Sequence, residues 1–103
     1  MKSYTDVEQS KKLAKILSIE SADMYYWCGE DLRIGGYRAM NIDYDIPCWS
    51  LVALLNVLPS ATLDSSNDHH FRIHCMKRYT EWYDNAVDAC VEMIIRLNES
   101  KLL

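Results

Sequence analysis

Long hydrophobic stretches are absent from this sequence. The longest strictly aliphatic run is the five residues Leu51–Leu55, whereas a membrane-spanning helix needs ~20 consecutive apolar residues. The first residues, Met1–Glu8, also lack the apolar region that follows the basic start of a secretory signal. We therefore expect no membrane segment and a cytoplasmic location.

Positive charge is in deficit. Lysine and arginine number 11 against 15 aspartate and glutamate residues, which leaves a net charge of −4. Proteins that bind nucleic acid gain most of their affinity from basic patches that neutralise phosphates. An acidic chain of this size is therefore a poor candidate for unaided nucleic-acid binding.

Motifs of familiar chemistry are missing as well. The chain has no G-x-S-x-G, no phosphate-binding loop and no G-x-G-x-x-G. Its four cysteines, Cys28, Cys48, Cys75 and Cys90, form no C-x-x-C and lie in apolar neighbourhoods, so we expect buried free thiols in a reducing compartment. These absences lead us to expect no catalytic residues, no metal and no cofactor.

The chain does contain enough apolar material for one core. Half of its 103 residues are hydrophobic, and domains usually have about 100–150 residues. Hydrophobic periodicity and turn residues predict the order α-β-β-α-β-β-α. We therefore expect one α+β domain over residues 1–103, in which three helices pack on a small antiparallel sheet of about four strands.

The boundaries of these elements follow from local signals. Thr5 and Glu8 have the spacing of a capping box and predict a first helix ending at Leu17, and Asn85 predicts the N-cap of a last helix. Between the helices we expect two hairpins. The first has strands over Met24–Cys28 and within 37–44, and the second has a strand near 61–63, a turn over 64–68 and a strand from Phe71 to Met76.

The second helix is the most distinctive prediction. Pro47 suits a first helical position and Pro59 ends the run, while Asp45 is placed to cap it. Only Ser50 and Asn56 are polar between the two prolines. A helix that is apolar all round must be surrounded by protein, so we expect this helix at the centre of the domain, partly against a partner chain.

Six segments of the chain share a familiar pattern. They are Glu8–Ala14, Ser21–Tyr26, Ile46–Leu51, Ala53–Leu55, Val57–Pro59 and Asp84–Ile95. Together they resemble a group of small proteins found in gut anaerobes and in their phages or mobile elements, to which no biochemical activity is assigned. The resemblance implies an intracellular bacterial or phage setting and carries over no functional residue.

Three catalytic or metal-binding alternatives are weak. The histidines near Cys75 include zinc ligand types, but His70 and His74 on one strand would lie about 13 Å apart. Cys48 near a helix start would be a candidate nucleophile, and Asp43 with Asp45 a candidate acid–base pair. A buried thiol and an acidic loop ahead of a helix are the simpler interpretations.

Binding to another macromolecule remains as the main alternative to catalysis. Tyrosine and tryptophan are enriched at protein interfaces, which favours an accessory protein that acts through protein contacts or as a homodimer. The candidate interaction surface consists of Tyr25, Trp27, Trp49, Tyr79, Trp82 and Tyr83. A second hypothesis is a nucleic-acid-associated regulator of a phage or mobile element that uses one strand face. The candidate residues of that face are Arg72, His74, Lys77 and Arg78, of which Arg72, His74 and Arg78 share one strand parity.

Overall fold

The computed structural model describes residues 2–103 and contains an α+β fold. Its helices are α1 (Val7–Leu13), α2 (Leu51–Val57) and α3 (Ala86–Glu99), and short 3-10 turns lie at Ile19–Ser21 and Tyr37–Ala39. Its strands are β1 (Met24–Trp27), β2 (Asp31–Ile34), β3 (Ile46–Cys48), β4 (Thr62–Ser65), β5 (Phe71–Cys75) and β6 (Arg78–Tyr79).

The strands form two antiparallel sheets instead of the predicted single sheet of about four strands. The first sheet has the order β2-β1-β3 and the second has the order β4-β5-β6. Each sheet consists of a hairpin and a third strand, since β3 adds to the β1–β2 hairpin and β6 adds to the β4–β5 hairpin. The prediction of an α+β fold with three helices is confirmed, and the predicted strand count and order are wrong.

The first hairpin closes earlier than its aromatic pattern predicts. Cys28 and Gly29 both have positive φ, 53° and 77°, and this conformation makes a tight turn directly after β1. The chain therefore returns at once as β2. The predicted second strand within 37–44 is wrong, because that segment holds a 3-10 turn and a loop.

The N-cap of helix α1 lies one residue after the predicted cap, Thr5. Asp6 is the N-cap, and its capping box closes with Gln9 instead of pairing Thr5 with Glu8. The Thr5 side chain is fully buried and bonds to Ser10 and to the backbone of Trp49 instead. The helix also ends at Leu13, four residues before the predicted Leu17.

The apolar segment between the two prolines is split. Ile46–Cys48 is strand β3, and the helix starts only after Ser50, whose side chain caps it by accepting the N–H of Ala53. Asp45 does not cap α2, since its carboxylate accepts the N–H groups of Cys28 and Asn41. The second helix is therefore half the predicted length.

Helix α2 is also not enclosed on all sides. Its inner face buries Ala53 and Leu54, but Val52 is 67 % exposed and Asn56 is exposed beside it. The expectation of a central helix surrounded by protein is wrong. The expectation that part of this helix meets a partner chain stays a prediction.

The centre of the molecule is α3. Its predicted N-cap Asn85 accepts the N–H of Asp88, as expected, and α3 packs against β5, α2 and α1. Eight of its side chains are buried. Seven of them belong to the core cluster, together with Trp49, Leu54 and Ile73.

Candidate functional site

The outer face of the second sheet collects polar and aromatic side chains by register. In the central strand β5, Ile73 and Cys75 are buried toward the core, as predicted, so that Arg72 and His74 lie on the opposite face. His74 lies directly across from Tyr79 of β6, and Arg72 lies across from Asp64 of β4. Residues directly opposite each other share a face, so all four belong to the outer face.

These side chains stack on one another. The rings of His74 and Tyr79 are parallel within 13°, with their centroids 4.2 Å apart. The guanidinium carbon of Arg72 lies 4.4 Å from the Tyr79 ring centroid and 4.5 Å from that of Trp82. We call Arg72, His74, Tyr79 and Trp82 the stacked cluster. Its two large rings remain accessible, since Tyr79 is 49 % and Trp82 is 45 % exposed.

Ion pairs hold the cluster in place. Arg72 Nε donates to Asp64 Oδ2 at 3.2 Å, which fixes the guanidinium and offsets its charge. Behind the sheet, Arg96 Nη1 donates to the carbonyl of Tyr79 at 3.0 Å, while its Nε is paired with Glu92 at 2.7 Å. These contacts restrain the side chain of Arg72 and the backbone of Tyr79.

The structure divides the predicted nucleic-acid face. Arg72 and His74 do share a face, but the expectation that Arg78 joins them is wrong. Met76 and Lys77 have positive φ, 50° and 65°, and their tight turn places Arg78 opposite Cys75. Arg78 thus belongs to the other face of the sheet, and Lys77 lies in the turn.

The structure also divides the predicted interaction surface. Trp49 is completely buried, and its indole N–H donates to Ser21 Oγ at 2.9 Å, so its inclusion in a surface is wrong. Tyr83 is half-buried against the core, and burial raises the pKa of its phenol. Its backbone exchanges two hydrogen bonds of 2.7 Å with Phe71.

The remaining two predicted aromatics lie on the first sheet. Tyr25 and Trp27 are two residues apart on β1, so they share its outer face. Trp27 is exposed, and the guanidinium carbon of Arg33 lies 5.2 Å from its ring centroid. Four of the candidate aromatics therefore form two separate pairs, with Tyr25 and Trp27 on the first sheet and Tyr79 and Trp82 in the stacked cluster.

The candidates Cys48 and His70 lie in different surroundings, one buried and one at the surface. Cys48 lies in β3 and not at a helix start, and its thiol is fully buried. Burial raises the pKa of that thiol, which is the opposite of nucleophile activation. His70 lies 3.5 Å from Asp84 at the surface. Within residues 2–103, no group of three or more His, Cys, Asp or Glu is arranged to hold a metal ion.

A groove of about 500 Å³ runs between the end of α1 and the loop before β3. Its floor is apolar and includes Leu17, Ile42 and Pro47, while Lys11 and Lys15 also line it. The carboxylate of Asp45 at its edge is already bound to two backbone N–H groups. The groove brings together fewer interacting polar and aromatic groups than the stacked cluster does.

Asp64 is a member of the site that the sequence pattern does not reveal. Its neighbours predict a turn, yet Asp64 lies within β4 and pairs with Arg72. A period-two pattern is present, since Thr62 and Asp64 alternate with Leu63, but the pattern is too short to stand out.

Comparison of the chain with protein-family models, with curated proteins and with solved structures finds no match. In the described part of the chain, no helix is long and apolar enough to cross a membrane.

Proposed function

We propose that this chain is a non-enzymatic accessory protein that binds a protein partner through the outer face of its second sheet. The observation that carries the proposal is the stacked cluster. Tryptophan, tyrosine and arginine are the residues most enriched among those that dominate protein–protein affinity. Here the guanidinium of Arg72 contacts both a tyrosine ring and a tryptophan ring at the surface.

Preorganisation strengthens this assignment. Ordering a flexible side chain at an interface costs ~0.5–1.5 kcal/mol. Arg72 is already fixed by Asp64, Tyr79 and Trp82, and Tyr79 is already stacked on His74. A partner that docks on this face meets a surface whose largest side chains need little further ordering.

The charges beside the cluster define the partner's chemistry. Within residues 2–103, Lys77 has no carboxylate within 4.0 Å, so the turn end of the sheet carries an unpaired positive charge. The other end carries Trp82 with the exposed Glu81 before it. We propose a partner segment with an apolar group over Trp82 and acidic side chains toward Lys77.

A second candidate is single-stranded nucleic acid on the same face, in a regulator of a phage or mobile element. The contact of Arg72 with two exposed rings favours it, because bases stack on aromatic side chains and on arginine. Against it stands the pairing of Arg72 with Asp64, which removes the cation best placed to meet a phosphate. The net charge of −4 opposes it too.

Differential capture from lysate of the source cells tests the proposal. The wild-type chain is compared with Trp82→Ala and Arg72→Ala, and with Tyr44→Ala as a matched change at an exposed aromatic in a loop. We expect a protein that the wild type and Tyr44→Ala retain and that both cluster variants lose. Circular dichroism checks that every variant is folded.

Nuclease treatment separates the two candidate functions. If binding is direct protein contact, the captured protein remains after the lysate is digested with nuclease. The proposal fails if the cluster variants retain the same proteins as the wild type. It also fails if nuclease releases the partner, or if single-stranded oligonucleotides bind the wild type with an affinity that falls steeply with salt and requires Trp82.

A further inference from the structure

The first sheet has an open edge at β2. Strand β1 is central, and β2 pairs with β1 alone among the described residues. The opposite edge at β3 is obstructed, since Pro47 has no N–H and the chain at Ser3–Thr5 bonds to Trp49 and Leu51 just after the strand. An open strand edge presents unpaired N–H and C=O groups and is a template for another strand.

The direction of the backbone groups of β2 follows from the ladder. Gly35 N–H donates to the Asp23 carbonyl at 3.0 Å, which makes these two residues a hydrogen-bonded pair. Bonded and non-bonded pairs alternate in antiparallel sheets, so Arg33 and Asp31 are bonded to β1. The N–H and C=O groups of Leu32 and Ile34 therefore point out of the open edge.

We infer that this edge pairs with β2 of a second copy of the chain. The two β2 strands run antiparallel and are related by a two-fold axis that passes between Leu32 and the partner's Leu32. Each Leu32 then bonds to the partner's Leu32 through both backbone groups. This pairing joins two three-stranded sheets into one six-stranded sheet. It is an isologous contact, in which the same patch on each copy meets itself.

Charge complementarity selects this occupant and this register. With the axis at Leu32, Asp31 lies opposite the partner's Arg33, and the reciprocal pair repeats on the other side of the axis. Both are non-hydrogen-bonded pairs, in which facing side chains come closest. Sliding the strands by two residues in either sense places Arg33 opposite the partner's Arg33, or Asp31 opposite the partner's Asp31. Like charges directly opposite each other are unfavourable.

The other face of the paired strands explains an exposed side chain. Ile34 is 87 % exposed although it lies on the same face of the sheet as the half-buried Leu32. In the paired sheet, Ile34 lies diagonally beside the partner's Leu32, within reach of contact. The four side chains form one apolar cluster across the axis. On the opposite face, Trp27 lies against Arg33 and supports the charged pair.

Charge reversal within one chain provides the test. Sedimentation of the wild type over a series of concentrations is expected to show reversible dimerisation. Arg33→Asp turns both pairs of opposite charges across the axis into pairs of like charges. The substitution is therefore expected to raise the dissociation constant of the dimer by about tenfold or more. The double variant Asp31→Arg/Arg33→Asp restores opposite charges and is expected to recover the dimer. Lys101→Asp makes the same change in net charge at the exposed C-terminal end and is expected to leave dimerisation unchanged.

Three results would overturn the inference. The wild type could stay monomeric at every concentration, or Arg33→Asp could dimerise as strongly as the wild type. The third such result is a double variant that does not recover dimerisation. Circular dichroism of each variant separates loss of pairing from loss of fold. The inference is independent of the proposed partner surface. Trp82→Ala on the second sheet is expected to dimerise like the wild type.

Discussion

Thr5 organises the junction between the N-terminal segment and the first sheet. Its Oγ1 accepts the N–H of Trp49 at 3.1 Å and lies 2.7 Å from Ser10 Oγ. Its carbonyl accepts the hydroxyl of Tyr26 at 2.6 Å and the thiol of Cys48 at 3.3 Å. Helix α1, strands β1 and β3 and the segment after β3 are therefore all bonded to one fully buried residue.

We expect Thr5→Val to lower the free energy of unfolding by about 1–3 kcal/mol, because it leaves the buried N–H of Trp49 without an acceptor. Thr5→Ser keeps the hydroxyl and removes one methyl group, so it is expected to cost about 1 kcal/mol or less. Urea unfolding monitored by tryptophan fluorescence measures both variants. A Val variant as stable as the Ser variant would contradict this role for the hydroxyl.

Asp88 connects α3 to the N-terminal segment and to α1. Its carboxylate accepts hydrogen bonds from Lys2 at 2.8 Å, Gln9 at 2.7 Å and Asn85 at 2.9 Å. Burial acts to raise the pKa of Asp88, but these three donors together outweigh burial and hold the pKa below its usual value. A lowered pKa in the folded state means that the charged form stabilises the fold.

The sign of the pH dependence follows. The contribution of Asp88 is complete above its unfolded-state pKa of about 3.9 and is lost as the pH falls through the lower folded-state value. We expect Asp88→Asn to be less stable than wild type at neutral pH and to lose less stability between about pH 5 and about pH 2. Asp68→Asn removes an exposed turn carboxylate, with no side-chain hydrogen bond within residues 2–103, and serves as the control. Parallel acid-unfolding slopes for Asp88→Asn and wild type would refute the assignment.

At the scale of elements, the segment from Ile46 to Pro59 shows how composition can mislead. Its apolar residues predict one continuous buried helix. In the structure, however, the segment consists of a strand and a helix, and both are apolar. Ile46–Cys48 is apolar because it is strand β3 of the first sheet, and Leu51–Val57 is apolar because one side of α2 contacts α3. The sequence contains a break signal at Ser50, the actual N-cap, and the proline at position 47 conceals it by suggesting an earlier start.

The two sides of α2 are expected to respond differently to the same kind of truncation. Leu54 is completely buried, so Leu54→Ala is expected to cost about 2–5 kcal/mol. Val52 is largely exposed, so Val52→Ala is expected to change stability by no more than about 0.5 kcal/mol. Thermal and urea unfolding of the two variants provide the comparison. A large loss in Val52→Ala would show that something covers this flank.

The turn between β5 and β6 limits how well the sequence predicts which residues share the face of the candidate site. Strand parity correctly places Arg72 and His74 on one face and Ile73 with Cys75 on the other. The alternation of side chains between the two faces does not continue through a turn. Methionine and lysine rarely adopt positive φ, so the sequence does not indicate the turn at Met76 and Lys77. Parity therefore puts Arg78 on the wrong face, and it does not reveal the stacking of Tyr79 on His74.

At the scale of the whole molecule, the sequence is informative about α3 and much less so about the sheets. The N-cap, the buried face and the Glu92–Arg96 pair of α3 all follow from the sequence, because helical periodicity over 14 residues is a strong signal. The sheets consist of strands of two to five residues. Patterns that short do not specify which strands pair, and pairing is set by tertiary contacts instead.

Each of the two sheets carries one of the surfaces that we propose for association. The first has an open edge with alternating charges at Asp31 and Arg33, which suits a second copy. The second has the stacked cluster on its outer face, which suits a partner with an apolar and an acidic group. Because the two surfaces belong to different sheets, self-association and partner binding are expected to be separable by mutation.

Site-specific photo-crosslinking in the source cells tests the role of the stacked cluster most directly. A photoreactive residue at position 62 lies opposite His74 on the face of the cluster and leaves its four side chains intact. We expect one covalent adduct whose added mass differs from that of a second copy of the chain. Trp82→Ala is expected to abolish this adduct. A photoreactive residue at the exposed position of Tyr44 is expected not to form it. Absence of a cluster-dependent adduct at position 62, or an adduct that nuclease removes, would contradict the account.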